Sequence, residues 1–393
     1  MLLLIEGAEL HAPEPRGRQA ILVANDRIEK IGVVDRRALD ALDVEHEVID
    51  ARGCIVTPGF VDPHQHFLGG SGEGSLALQT PMLLPREILR AGITTAVGTL
   101  GVDTTMKTIQ GLLGRVKALR EEGVDAFMWS GGYNVPPTTL LGSVRQDMMY
   151  VEEVIGAGEV AVADERGLNQ SGQELAKLVR DTHVGGLLTG KAGLTHFHVG
   201  EEPVRLQPLR ELIDDFQVKV EWLYPTHVQR SEALLREAME LAVAGAYVDF
   251  DTVNEDLARW FRWWMDHDGP IDRLTISSDA DSGTPDSHYR QLCALVVKER
   301  YPLEVVLPLA TSNVATALKL SRKGRVRVGC DADLVVMDAG TLEIRDVIAR
   351  GRRVVREGRP SFTEKFLGKS KRHLTLHGAE APPGLERLEP VDQ

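Results

Sequence analysis

Cysteine is scarce in this 393-residue sequence, which contains only Cys54, Cys293 and Cys330. Three scattered cysteines provide neither a disulfide framework nor a paired-cysteine metal knuckle. We therefore expect a protein of the reducing cytoplasm. Long apolar runs are missing too, since no stretch approaches the roughly 18 residues that a membrane span needs. The apolar residues 2–5 are interrupted by Glu6, which is typical of a strand rather than a secretory signal.

Basic residues are outnumbered, 45 against 58 acidic ones, and the formal net charge is −13. A general nucleic-acid-binding protein would present a basic face, so the charge argues against that class. The one basic cluster, residues 365–373, lies in a tail that also carries acidic residues and is interpreted as a solvated surface segment. The expected partners are small molecules, with no nucleic acid and no membrane.

The segments between Gly59 and residue 325 indicate an α/β fold. Strand-like runs alternate there with amphipathic stretches, which predicts βαβ units and a parallel sheet. Eight such runs favour a (β/α)8 TIM-like barrel over residues 58–325. The predicted strands are Phe60–His66, Ile93–Leu100, Ala126–Tyr133, Val160–Asp164, Thr195–Val199, Val220–Val228, Tyr247–Thr252 and Leu274–Asp279. The clearest predicted helices are Met106–Glu122, Gln173–Asp181, Arg205–Phe216 and Ser231–Ala244.

Both chain ends have a different texture, with short strands separated by turn residues. The extended candidates are Leu2–Ile5, Ala20–Ala24, Arg27–Ile31 and His46–Ile49 at the start, and Ala332–Asp338, Val347–Ala349 and Arg353–Arg356 at the end. We expect residues 1–57 and 326–360 to form one small β-sandwich beside the barrel. Residues 361–393 are predicted to be a loosely held tail.

Histidines and one aspartate fall at the ends of the predicted barrel strands. His64 and His66 close the first strand, and alternation places both on one face. His198, His227 and Asp279 end the fifth, sixth and eighth strands. Active sites of such barrels gather at the carboxyl ends of the strands, and imidazole with carboxylate is a ligand set that suits zinc. The pattern predicts a metal site at the mouth of the barrel.

The sequence around these residues resembles the amidohydrolase superfamily of metal-dependent hydrolases and, within it, the bacterial isoaspartyl (β-aspartyl) dipeptidases. The resemblance covers nearly the whole chain. It is carried by Gly59–His66, Gly69–Glu73, Gly131–Pro136, Asp164–Arg166, Phe197–Gly200, Pro225–Arg230, Asp279 and Gly329–Val336.

The resemblance implies two divalent cations, zinc before manganese, iron or cobalt, and a homo-oligomer. His64 and His66 would bind the more buried ion with Asp279, and His198 and His227 would bind the second ion. A water between the ions would attack an amide, and Asp279 would carry its proton to the leaving amine. A bound cation lowers the pKa of water and polarises a carbonyl, so this chemistry is physically sound.

The resemblance also implies roles for groups that would hold the substrate. Glu73, on a glycine-rich loop, would receive an ammonium, and Arg166 and Arg230 would grip carboxylates. Tyr133 would donate a hydrogen bond to the developing oxyanion. A zwitterionic dipeptide with an additional carboxylate satisfies these charges, which makes isoaspartyl dipeptides the expected substrates.

Glu159 marks a departure from the family pattern. It stands where the dipeptidases carry a carbamylated lysine that bridges both cations. A glutamate supplies the same charge and two oxygens, but its reach is shorter by roughly 3–4 Å. The segment 154–164 is one residue longer than in the relatives, which would move the backbone inward. Three roles stay open: a bridge between two ions, the ligand of a single ion, or an unremarkable acid.

A second departure follows Asp279. The family has a carboxylate-binding serine where this chain has Gly283, and the neighbouring Ser282 or Thr284 would have to replace it. Asp281 would add negative charge near the mouth and disfavour a second substrate carboxylate if it points inward.

Two other functions use the same residues. A cyclic-amide or N-acyl-amino-acid hydrolase, like a dihydroorotase, hydantoinase or deacetylase, needs the same cations but not the paired arginines with Glu73. A catalytically silent scaffold is disfavoured because all the ligand positions are filled. The additional His196, two residues before His198, is interpreted as a hydrogen-bonded core histidine or a support for the ligands rather than a ligand.

Overall fold

A computed structural model describes residues 2–41, 43–281 and 284–369. The chain begins with short strands and one short helix before it enters the barrel. These elements are β1 Leu2–Glu6, β2 Glu9–His11, β3 Pro15–Arg18, β4 Ala20–Ala24, β5 Arg27–Gly32, α1 Arg36–Ala41, β6 His46–Asp50 and β7 Cys54–Pro58. Three of them, β2, β3 and β7, were not predicted, because a charged or Pro- and Gly-containing run of three to five residues carries little periodicity.

The middle of the chain alternates strands with helices, as the sequence predicts. The strands are β8 Phe60–Gln65, β9 Ile93–Gly98, β10 Asp125–Ser130, β11 Val154–Val162, β12 Thr195–Val199, β13 Leu223–Thr226, β14 Val248–Asp251 and β15 Leu274–Ser277. The helices are α2 Pro85–Arg90, α3 Ile109–Glu122, α4 Val144–Tyr150, α5 Gly172–Thr189, α6 Gln207–Asp214, α7 Glu232–Ala244, α8 Leu257–Asp266, α9 Asp286–Val297, α10 Leu303–Val306 and α11 Ser312–Ala317. The chain then returns to strands: β16 Leu334–Asp338, β17 Ile344–Ala349, β18 Arg352–Arg356 and β19 Arg359–Pro360, followed by α12 Lys365–Gly368.

The barrel strands run parallel and in sequence order. Strands β8 to β13 form one six-stranded curled sheet, and β14 pairs with β15 in a second sheet. The backbone N–H of His66 donates to the carbonyl of Ala280 at 2.8 Å, which brings the chain after β15 back to the end of β8. This curled parallel arrangement, flanked by helices, confirms the predicted α/β class.

The helices begin and end where local chemistry dictates. The hydroxyl of Ser231 accepts the N–H of Leu234 before α7, and Gly245 ends the helix with a φ of 119°. Helix α5 extends well past the predicted end at Asp181. It continues through Gly186, where a Cβ would lie 2.6 Å from the Cα of Gly193, so the glycine permits close packing rather than ending the helix.

Both chain ends contribute to two sheets. The first has the order β5-β4-β1-β6, and the second has the order β19-β18-β17-β16-β7-β2-β3. Apolar side chains from both sheets, such as Ile5, Val23, Val56 and Leu334, form one buried cluster. The opposite face of the second sheet, including Val335, joins the large apolar core of the barrel.

Several predicted strands have different ends in the structure. Strand β11 begins at Val154 instead of Val160, and Val220–Trp222 is a 3-10 turn rather than the start of β13. Asp279 lies just beyond β15 instead of within it. The site residues therefore stand on strand ends and on the first loop residues after them. None of the described helices combines the length and apolar character that crossing a bilayer requires.

Candidate metal centre

Six side chains predicted as metal ligands converge at the carboxyl ends of the barrel strands. The ligand atoms of His64, His66 and Asp279 lie within 4.8 Å of one another, and so do those of His64, Glu159 and His227. His198 joins through its Nδ1, which lies 2.6 Å from Oε1 of Glu159. Four imidazoles and two carboxylates thus surround one small, largely buried volume.

Glu159 lies at the centre of this group, and its two oxygens face different histidines. Oε1 lies 2.6 Å from Nδ1 of His198 and 3.5 Å from Nε2 of His227. Oε2 lies 3.4 Å from Nε2 of His64. A carboxylate that offers one oxygen to each of two ligand groups has the arrangement that a bridge between two cations needs.

Local backbone structure explains how a glutamate reaches this position. The pairing of β11 with β12 shifts register between Ala157 and Val160, so Glu159 lies in a bulge, a feature that redirects a side chain. Gly158 precedes it with a φ of 146°, and a Cβ there would lie 2.8 Å from the Cβ of His196. Glycine is therefore required where the bulged strand passes close to β12.

His198 is held on both ring nitrogens. Nδ1 faces Glu159 at 2.6 Å, with the hydroxyl of Tyr133 at 2.9 Å, and Nε2 lies 2.9 Å from Oδ2 of Asp164. The same Asp164 accepts two hydrogen bonds from the guanidinium of Arg166, at 2.8 Å and 2.7 Å, and a third from its backbone N–H at 2.9 Å. A carboxylate on the far nitrogen of a ligand histidine fixes its tautomer and orientation. His198 therefore presents Nδ1 to the centre.

His227 has a corresponding support on strand β14. Its Nδ1 lies 2.7 Å from Oδ2 of Asp251, and Nε2 of Gln229 donates to the same oxygen at 2.7 Å. This leaves Nε2 of His227 directed toward Glu159 and toward Asp279, whose Oδ2 lies 3.9 Å away. Asp251 completes a carboxylate–histidine pair that was not predicted from the sequence. The one sequence feature that could have indicated this role is the position of Asp251 at the carboxyl end of a barrel strand.

His64 is supported by another histidine instead of a carboxylate. Its Nδ1 lies 3.1 Å from Nε2 of His196, and Nδ1 of His196 lies 3.0 Å from the carbonyl oxygen of Tyr224. His196 is fully buried and stacks on Trp129. It lies behind the ligands and not among them, in the supporting position that was one of the two interpretations of this residue.

Two buried polar atoms of the centre have no hydrogen-bond partner in the described part of the chain. These atoms are Nε2 of His64 and Oε2 of Glu159, which face each other. Leaving such atoms unsatisfied costs roughly 1–3 kcal/mol each, and a divalent cation would satisfy both. Imidazole nitrogens with carboxylate oxygens are the donor set of zinc and similar cations, so the residues fit the implied metal.

The charged groups of the centre shift one another's pKa values. Burial lowers the pKa of His64, but Glu159 and Asp279 outweigh this and raise it to about 9. Burial likewise opposes charge on His227, but its hydrogen bond to Asp251 raises the pKa to about 10. Burial raises the pKa of Asp279, but His64 and His66 bring it well below its ordinary value, so the carboxylate is ionised at neutral pH.

Two non-glycine residues of the centre adopt left-handed backbone conformations. The φ of His227 is 62° and that of Asp279 is 49°. Such conformations cost of order 1–3 kcal/mol for residues with a Cβ and are found at functional sites that the surrounding fold holds in place. His227 directly follows β13 and Asp279 is the second residue after β15, and both turn their side chains toward the centre.

The charged groups predicted to bind substrate pair with each other at the mouth. Nη1 of Arg166 lies 2.7 Å from Oε1 of Glu73, whose side chain is 69% exposed. Tyr133 is buried, and the guanidinium of Arg166 lies 5.5 Å from the centre of its ring. Burial, with Glu159 nearby, raises the pKa of Tyr133 well above its ordinary value, so the hydroxyl stays protonated and can donate.

The remaining predicted substrate residues lie further out. Arg230 forms a long ion pair of 3.9 Å with Glu201, and the hydroxyl of Thr284 bonds the backbone of Asp281. Among the described contacts, neither side chain reaches the histidine cluster. Ser282 lies outside the described residues. The hydroxyl of Thr80 donates a hydrogen bond to Oδ2 of Asp281 at 3.0 Å. The same hydroxyl oxygen accepts the backbone N–H of Gly70 in the glycine-rich loop.

Comparison with known proteins agrees with this fold and site. Residues 55–356, more than half of the chain, match the amidohydrolase family, and the chain belongs to that family. A crystal structure of β-aspartyl dipeptidase from Fervidobacterium islandicum AW-1 is similar with a TM-score of 0.87 and 32% identity, covering 92% of this chain and 99% of that one. The same enzyme in complex with a β-Asp-Leu dipeptide gives a TM-score of 0.86 and 31% identity.

Curated relatives match over shorter shares of their length. The imidazolonepropionase of Myxococcus xanthus is 30% identical over 151 residues, which are 37% of this chain and 36% of that protein. The adenine deaminase of Halalkalibacterium halodurans is 23% identical over 80% of this chain and 51% of its own length. The chain thus spans between about a third and a half of these two relatives.

Proposed function

We propose that this protein is a hydrolase dependent on two divalent cations, most simply zinc, that cleaves the amide bond of isoaspartyl dipeptides. The observation that carries the proposal is the position of Glu159, whose two oxygens face separate histidine groups. His64, His66 and Asp279 would hold one cation, and His198 and His227 the other. Bound cations would polarise the amide carbonyl and lower the pKa of water to near 7.

Asp279 is the proposed proton carrier. Its Oδ1 lies 3.2 Å from Nε2 of His64 and 3.0 Å from Nε2 of His66, whereas Oδ2 is 3.9 Å from Nε2 of His227 and makes no close bond with it. Oδ2 can therefore accept a proton from the attacking water and deliver it to the leaving amine. Such transfer contributes roughly 10²- to 10⁴-fold to the rate.

Tyr133 and the Glu73–Arg166 pair complete the proposed substrate site. The Tyr133 hydroxyl stands 2.9 Å from Nδ1 of His198, close enough to the centre to donate to an oxyanion that forms there. The pair between Glu73 and Arg166 is partly exposed, and such pairs are worth only about 0–1 kcal/mol. A zwitterionic substrate can replace it at little cost, with its ammonium on Glu73 and a carboxylate on Arg166.

The β-aspartyl substrate class is supported by the similarity to the Fervidobacterium islandicum dipeptidase, which covers almost all of both chains. A second candidate, hydrolysis of a cyclic amide or an N-acyl amino acid, is favoured by Asp281. Its carboxylate is fixed by Thr80 beside the glycine-rich loop, where it would repel a second substrate carboxylate. We further propose that the two end sheets form a separate β-sandwich domain of residues 1–57 and 326–360.

An assay of the full chain, stripped of metal and reloaded with zinc, tests the substrate proposal. β-Asp-Leu should be cleaved to aspartate and leucine with a kcat/KM far above that for α-Asp-Leu, N-acetyl-leucine or dihydroorotate. Asp279→Asn should lower kcat by roughly 10²- to 10⁴-fold. Zinc-loaded protein that leaves β-Asp-Leu intact would overturn the isoaspartyl proposal, and turnover of a cyclic amide or N-acyl amino acid instead would establish the second candidate.

A further inference from the structure

The contacts of His196 define the direction of its hydrogen bonds. Nδ1 lies 3.0 Å from the carbonyl oxygen of Tyr224, and a carbonyl oxygen can only accept, so Nδ1 carries the hydrogen. In a neutral imidazole the other nitrogen is then an acceptor. The Nε2 lone pair of His196 consequently faces Nδ1 of His64, 3.1 Å away, and accepts its N–H.

The surroundings hold the ring of His196 in place. The ring is fully buried, and it stacks on Trp129 with ring centres 5.2 Å apart and planes 18° from parallel. Trp129 is itself fixed, because its Nε1 donates to the carbonyl of Pro63 at 3.0 Å. On the other side the hydroxyl of Tyr224 is paired with Thr275 at 2.7 Å. Stacking and burial, together with the hydrogen bonds of both ring nitrogens, therefore favour the observed orientation of the ring.

The consequence reaches the metal centre through His64. If Nδ1 of His64 keeps its hydrogen and donates it to His196, the nitrogen of His64 that remains to bind a cation is Nε2, the atom that faces Glu159 and Asp279. The contact with His196 therefore holds Nδ1 of His64 away from the centre and directs Nε2 of His64 toward it.

We propose that His196 is a positioning residue, which fixes the tautomer and ring orientation of His64 so that Nε2 binds the more buried cation. It does for His64 what Asp164 does for His198 and what Asp251 does for His227, with an imidazole nitrogen in place of a carboxylate oxygen. The inference rests on the proposed metal centre.

Two variants separate this role from mere packing. His196→Gln places an amide oxygen near the position of Nε2 and keeps an acceptor for His64. His196→Asn places its amide near the position of Nδ1, so it keeps the bond to Tyr224 and loses the acceptor. Asn is also smaller than Gln, so a pure packing role predicts a lower melting temperature for His196→Asn with a zinc affinity close to that of His196→Gln, whereas positioning of His64 predicts weaker zinc binding by His196→Asn.

The readout is zinc affinity, measured on the full-length protein by competition with a chromophoric chelator. His196→Gln should bind the first zinc within a few-fold of the unaltered protein, and His196→Asn should bind it roughly 10- to 100-fold more weakly. Trp129→Phe, which leaves both hydrogen bonds of His196 in place, should lower the melting temperature with little change in zinc affinity. If His196→Asn does not fold, His196→Met, similar in volume and without a ring nitrogen, replaces it.

The outcomes distinguish this inference from the proposed function. Unaltered protein that binds no zinc would overturn both. Tight binding by the unaltered protein, with His196→Asn equal to or better than His196→Gln, would overturn only the positioning role of His196.

Discussion

The Nδ1 atom of His227 lies 2.7 Å from Oδ2 of Asp251, and both side chains are buried. The aspartate is not a ligand itself, since it lies on the far side of the imidazole from Glu159. It also accepts a hydrogen bond from Gln229, which holds the carboxylate in line with the ring. The orientation of His227, which follows β13, is therefore determined by a residue of the next strand, β14.

This relationship predicts the effect of removing the carboxylate. Asp251→Ala leaves Nδ1 of His227 without its acceptor, and we expect the affinity of the second zinc to fall roughly 10- to 100-fold, with a smaller loss for Asp251→Asn. Zinc titration followed by metal analysis measures the effect. Asp268→Asn, in an exposed turn with a φ of 57° that asparagine tolerates, is the matched control. Unchanged zinc affinity in Asp251→Ala would show that His227 needs no such support.

Glu159 provides a prediction about stoichiometry. If its oxygens serve separate cations, the unaltered protein should hold about two zinc ions per chain, and Glu159→Ala should hold one or none, because both ions lose a shared ligand. Elemental analysis after gel filtration gives the number directly. Glu153→Gln is the matched control, because this glutamate precedes the same strand but pairs with Lys117. One ion in the unaltered protein, or no change on Glu159→Ala, would contradict a bridging role.

Arg230 tests the substrate class rather than the metal. Arg230→Glu should raise KM for an acidic dipeptide and lower kcat/KM roughly 10- to 100-fold, because a charged hydrogen bond contributes about 1.5–3 kcal/mol. The zinc content should not change. Arg236→Glu on helix α7, outside the mouth, serves as the control for surface charge. A full rate of β-Asp-Leu cleavage in Arg230→Glu would remove this arginine from the substrate site.

Much of the centre could be predicted because strand ends in a parallel barrel meet at one edge. His64, His66, His198, His227 and Asp279 were predicted from that rule, and their ligand atoms do lie close together. The carboxyl ends of the strands meet at this edge even if the predicted start of a strand is wrong by several residues. For this reason the late start predicted for β11 did not affect the prediction of the site.

Other parts of the site depend on contacts that no periodicity records. The support of His198 by Asp164 and of His227 by Asp251 pairs residues 34 and 24 positions apart. The pairing of Glu73 with Arg166 joins loops 93 positions apart, and only the folded chain shows that the two predicted substrate groups neutralise each other. The bulge that carries Glu159 inward likewise depends on the pairing of β11 with β12.

The raised pKa values of His64 and His227 predict how the metal-free protein responds to pH. The values rise from 6.5 to about 9 and about 10, so above pH 6.5 the folded state holds protons that the unfolded state has released. Their stabilisation is complete below that pH and disappears as the pH rises through the folded values. Between pH 7 and 9, the melting temperature of the stripped protein should fall more steeply than that of a His64→Asn/His227→Asn variant.

Bound zinc should remove this pH dependence of the melting temperature, because the cation takes the place of the protons on the two histidines. The affinity for zinc increases as those protons are released at higher pH. Differential scanning calorimetry of stripped and zinc-loaded protein across this range separates the two states. His267→Asn, which changes an exposed histidine, should leave the slope of the stripped protein as it is. Equal slopes for the unaltered protein and the double variant would contradict this prediction, because they would mean that the two histidines are not protonated in the folded, metal-free protein. The attraction of the histidines to Glu159, Asp251 and Asp279 would then be weaker than the distances between them indicate.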